Sequence, residues 1–210
     1  MRKVKSVVRF VHPKQQEVRK FPLQEKAGCR VWIVGDSYVR RGEQRARESM
    51  GTNLGVSAHV QWFGKGGMCW HDLLPFFHQC LKRRTAPDVL VIHCGGNDLG
   101  RVKSVLLLDA MKANLHDLHK HFPKMKIILS SINQRRHWRY APPGKMEKAR
   151  KFVNSVMATF MLCVNGSIVH HPNILFDKLG LYLRDNVHLS PKGNDLFLSD
   201  IVKVLQDHVL

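Results

Sequence analysis

Apolar residues along this 210-residue chain fall into two alternating kinds of segment. The first kind is short and continuous: RVWIVG (30–35), VSAHVQWFG (56–64), DVLVIHCGG (88–96), KMKIILSSI (124–132) and a weaker GSIVHHP (166–172). Runs of this length, rich in β-branched residues and bounded by turn formers, predict strands buried on both faces. The second kind repeats at spacings of three and four. Val105, Leu108, Met111, Leu115, Leu118 and Phe122 predict one helical face within 104–122. Phe152, Val153, Val156, Met157, Phe160 and Val164 predict another within 145–164. A last helix carries Phe197, Ile201, Val204 and Leu205, with Ser190 as its N-cap and Pro191 at its first position. Strands alternating with helices predict an α/β fold, with about five parallel strands covered on both faces and joined by right-handed crossovers. Ligands of such sheets bind beyond the carboxyl ends of the strands.

The pattern is absent before Cys29. Residues 1–28 are basic and aperiodic, with one short strand candidate, SVVRFV (6–11), and read as an N-terminal arm or linker. Residues 29–210 read as one domain, long enough to bury a substantial core. No apolar run approaches the roughly 20 residues needed to span a bilayer. The N-terminus lacks the continuous apolar stretch and cleavage site of a secretory signal. Cys29, Cys69, Cys80, Cys94 and Cys163 are odd in number and scattered, without a Cys-x-x-Cys. Free thiols in a reducing, intracellular setting, cytoplasmic or nuclear, are therefore expected. His116, His119 and His121 in HDLHKHF lack partners at ligand spacing, so no metal is expected there. The net charge of +18 changes the picture most, because it predicts attraction to nucleic acid, an anionic membrane surface or an acidic substrate.

The chemically capable residues follow the predicted strands. Ser37, in IVGDSYV, stands two residues after the glycine that ends the first strand, at the start of a helix. Unpaired N–H groups and the positive end of the helix dipole favour negative charge there. WFGKGGM follows the second strand, where glycines let a backbone N–H approach a ligand. IHCGGNDLG places Asn97 after the third, and DNVHLS brings in Asp185 and His188 after the fifth. Together they predict a hydrolytic constellation. Ser37 would attack a carbonyl, His188 would take its proton and Asp185 would hold the other ring nitrogen. The Ser37 N–H, the Gly67 N–H and the Asn97 amide would form an oxyanion hole. Asp36 and Asp98 read as structural acceptors for loop amides. The loop NQRRHWRY follows the fourth strand and offers Arg135, Arg136, Trp138, Arg139 and Tyr140 as substrate-binding candidates, or simply as a basic surface.

GDS, GKGG, GGND and DNVHLS in this order resemble the four blocks of the SGNH, or GDSL, hydrolases. The resemblance runs from about Val31 to the C-terminus. It implies a flavodoxin-like three-layer α/β/α sandwich and a cofactor-free serine esterase or acyl hydrolase. Ser37, Asp185 and His188 would be its triad, and Gly67, rather than Gly66, would join Asn97 at the oxyanion. A narrower likeness, to SGNH domains of vertebrate transposable elements, rests on VWIVGDSYVRRG, WFGKGGMCWHDLL and DVLVIHCGGNDLG. It implies an alternative: a basic nucleic-acid-associated module with idle or secondary hydrolase activity. A protein-interaction domain on the same fold is a third reading.

Overall fold

Five strands form a single parallel sheet in a computed structural model that describes residues 28–209. They are β1 (Arg30–Gly35), β2 (His59–Gly64), β3 (Val89–His93), β4 (Lys126–Ser130) and β5 (Ser167–Val169). Their order is β2-β1-β3-β4-β5. The SVVRFV segment lies outside the described residues.

Each strand points alternate side chains to opposite faces, and this divides the core in two. Trp32 and Val34 face α2 (Leu73–Leu81), α3 (Ser104–His121) and α4 (Pro143–Met161), against Phe77, Leu115 and Val153. Val31 and Ile33 face α1 (Ser37–Ser49) and α5 (Pro191–Gln206), against Tyr38, Phe197 and Ile201. The result is the predicted three-layer sandwich. Among the described residues, no helix is long and apolar enough to cross a membrane.

The last helix starts as its sequence dictates. Ser190 Oγ accepts from the Gly193 N–H at 3.2 Å, and Pro191 occupies the first turn. Two helical faces keep the predicted stripe but differ at its margin. Val105 is 56% exposed and Leu107 is buried in its stead; Phe152 is 48% exposed while Met146 and Met161 complete the buried stripe of α4.

Candidate active site

The strand order reverses at β1. The chain leaves β1 for β2 on one side and returns to place β3 on the other, so the carboxyl ends of β1 and β3 border a crevice. Gly35 makes the turn there possible. A Cβ on it would lie 2.0 Å from the His93 carbonyl oxygen, which accepts the Asp36 N–H at 3.1 Å. Asp36 then caps α1, its Oδ1 accepting from the Tyr38 N–H at 2.9 Å. Ser37 is left as the first helical residue, buried but for 7% of its surface, at the crevice.

The segment before α5 reaches across to it. Asp185 Oδ1 accepts from the Val187 and His188 N–H groups, both at 2.9 Å. Its Oδ2 accepts from His188 Nδ1 at 2.6 Å, and His188 Nε2 lies 3.0 Å from Ser37 Oγ. With Nδ1–H donated to a carboxylate, Nε2 is the acceptor for the serine hydroxyl. Burial works to raise the Asp185 carboxyl, but the bonds from His188 and the two backbone N–H groups prevail and hold it at about 2. The loop itself is fixed from outside. The Asn186 carbonyl, on a residue with φ of 58°, accepts from the Arg136 and His137 N–H groups at 3.0 Å each. The Tyr38 hydroxyl donates to the Val187 carbonyl.

Opposite stand the candidate oxyanion donors. Gly67 has φ of +71°, a conformation that disfavours any side chain, and lines the same cleft as Gly66. The Ser37 and Gly67 N–H groups make no hydrogen bond among the described residues. Asn97 Nδ2 donates one hydrogen to the Met68 carbonyl at 3.0 Å and has a second to offer. Its Oδ1 accepts from both terminal nitrogens of Arg135 at 3.3 Å.

A cleft of about 500 Å³ gathers Ser37, Gly67, Asn97, Asp185 and His188. Of the loop candidates, Arg135, Trp138, Arg139 and Tyr140 line it too, but Arg136 does not: its side chain is exposed and its contribution is the backbone N–H to Asn186. Arg135 turns inward. Its guanidinium lies 5.4 Å from the Tyr38 ring centre, 5.1 Å from that of Trp138 and 3.9 Å from Asp36 Oδ2. Burial pushes Asp36 up to about 6 against the pull of Arg135. Asp98, as expected of a structural acceptor, takes the Trp70 N–H at 2.9 Å. Sequence reasoning missed Tyr38, Arg40 and Arg101 as members of the site. Arg40 had a signal, since it stands one helical turn after Ser37; Arg101 had none.

Among the described residues, Cys69, His71 and Asp98 place possible metal donors within 4.8 Å of one another. They fit a cation poorly. Arg101 Nη1 is 3.3 Å from Cys69 Sγ, where it opposes positive charge, and Asp98 is already bonded to Trp70. All five cysteines are free.

Similar folds are found among solved structures. A GDSL-like lipase from Bacteroides thetaiotaomicron superposes with a TM-score of 0.67 at 18% identity, covering 85% of this chain and 88% of that one. A lipase/acylhydrolase from Enterococcus faecalis gives 0.67 at 15%, covering 87% and 97%. A carbohydrate esterase family 3 protein from Talaromyces cellulolyticus gives 0.62 at 14%, covering 86% and 98%. No curated protein sequence matches. The GDSL-like lipase/acylhydrolase family matches residues 33–196, most of the chain and every block of the cleft, and the chain belongs to that family of hydrolases.

Proposed function

We propose that the protein is a serine esterase that cleaves an acyl ester through Ser37, His188 and Asp185. The observation that carries this reading is the unbroken relay from Asp185 Oδ2 to His188 Nδ1, at 2.6 Å, and from His188 Nε2 to Ser37 Oγ, at 3.0 Å, opening into the cleft. In the first half-reaction His188 takes the Ser37 proton as Oγ bonds to the carbonyl carbon. The imidazolium then gives that proton to the leaving alcohol, and an acyl-serine remains. In the second half-reaction water enters, loses a proton to His188 and releases the acid. Asp185 stays ionised throughout, since its carboxyl is held at about 2. Negative charge on the carbonyl oxygen meets the free N–H groups of Ser37 and Gly67 and the second hydrogen of the Asn97 amide. None of these steps requires a metal or cofactor.

Labelling with a fluorophosphonate probe tests the reading, together with turnover of an activated acetyl ester. The wild-type protein should label covalently and hydrolyse the ester; Ser37→Ala should do neither. Labelling that persists in Ser37→Ala, or its absence from the folded wild-type protein, overturns the assignment.

A further inference from the structure

The charges on the cleft wall say more about the substrate than the relay does. Arg40, Arg101, Arg135 and Arg139 line the cleft against a single carboxylate, Asp185. Both oxygens of Asp185 are engaged by His188 and backbone N–H groups. Arg135 is committed to Asn97 and Asp36. Arg40, Arg101 and Arg139 are exposed, and none pairs with a carboxylate among the described residues. Arg101 donates to the Cys69 thiol, which burial keeps protonated and therefore neutral, and the nearby Asp98 carboxylate is already taken by the Trp70 N–H. Other arginines of this molecule do face acids: Arg30 meets Asp88, Arg45 meets Asp195 and Arg150 meets Glu147. Three guanidinium groups without an ion-pair partner line one concave wall and bias the potential in front of Ser37 toward positive.

Resting on the esterase reading, we propose that the cleft selects esters bearing a phosphate or carboxylate close to the scissile carbonyl, held by Arg40, Arg101 and Arg139. The anion supplies the ion-pair partner these side chains lack, and guanidinium forks match either oxyanion in bidentate fashion. The preference is for charge on the substrate itself and needs no polymer.

Matched ester pairs separate the two sides of the bond. For the acyl side, mono(4-nitrophenyl) adipate is compared with its neutral methyl ester. For the alcohol side, 4-acetoxyphenyl phosphate is compared with 4-methoxyphenyl acetate. At low ionic strength kcat/KM should favour the anionic member of at least one pair by about tenfold or more, and the advantage should shrink as salt is added. Arg139→Ala, Arg101→Ala and Arg40→Ala should each pull that ratio toward one. Lys124→Ala, which removes an exposed charge just before the amino end of β4, should not. Equal rates within both pairs, with the neutral esters still turned over, sink the selectivity and leave the esterase reading standing. A preference that Lys124→Ala erodes as much as the arginine variants do also sinks it, because the attraction would then be global. Failure to hydrolyse any of the four, together with no probe labelling, instead overturns the esterase reading beneath it.

Discussion

Asn97 can serve an oxyanion only if its amide nitrogen, not its oxygen, faces the cleft. Two partners with opposite demands settle this: the Met68 carbonyl needs a donor, and the Arg135 fork needs an acceptor. On the proposed mechanism Arg135 is a positioning residue that acts through Asn97. Arg135→Met should lower kcat on a neutral ester by about tenfold to a hundredfold, less than the roughly 10²–10³ expected for a missing oxyanion donor. Arg135→Lys keeps the charge without the fork and should recover only part. The decisive measurement is the double variant. Arg135→Met added to Asn97→Ala should cost little beyond Asn97→Ala alone, whereas fully additive losses would show that Arg135 acts elsewhere. Ser37 was legible as a candidate because it follows the first strand run, and Asp185 and His188 because they share one short block just before the last helix. Arg135 was legible only as one basic residue of a loop. Its inward turn depends on the Tyr38 and Trp138 rings and on Asp36, and no local pattern connects those positions.

A second acid–histidine–serine chain lies among the elements, sealed from the cleft. His171, just after β5, meets Asp200 of α5 at 3.1 Å through Nδ1 and Ser130 of β4 at 2.8 Å through Nε2. Ser130 meets His93 of β3 at 2.8 Å. Ser130 is 1% exposed, so no substrate reaches it, and the chain serves to tie β3, β4 and α5 together. Burial lowers both imidazoles; His171 and Arg135 add to the effect on His93, while Asp200 opposes it on His171. The native state therefore resists protonation that the unfolded chain accepts below about 6.5. Stability from this pair is complete above that pH and is lost as pH falls. Asp36, pushed up to about 6, works with the opposite sign, so the clean readout is a difference. Denaturation midpoints from pH 5 to 8 should show wild type losing stability toward acid relative to His93→Gln. Parallel profiles would remove His93 from the account. His171→Leu should cost at least about 2 kcal/mol, because Asp200 and Ser130 lose a buried partner. The sequence showed His93 on a buried strand, but not Asp200, which comes from a helix far along the chain. Helix α2 was missed for a different reason. LLPFFHQCL is too short and too uniformly apolar to show a period, and Pro75 reads as a breaker although it occupies the first turn, where no N–H is needed.

The whole molecule carries 34 lysines and arginines against 16 acids. Even complete one-to-one pairing would leave a net +18, so the folded state works against its own repulsion. Added salt screens that repulsion. It also screens the ion pairs, but those at the surface, such as Arg30 with Asp88 and Lys65 with Asp72, contribute at most about 1 kcal/mol each. Repulsion is the larger quantity, so Tm should rise as sodium chloride goes from roughly 20 to roughly 300 mM, over which the Debye length shortens from about 20 Å to about 6 Å. Catalysis should move the other way. The same ions shield Arg40, Arg101 and Arg139, so kcat/KM for an anionic ester should fall across the buffers in which Tm climbs. A neutral ester, which draws nothing from those side chains, should change little. The opposed slopes distinguish a charge surplus that costs the fold stability from one that merely decorates it. If Tm stayed flat or declined with salt, individual pairs would outweigh the surplus in the folded state.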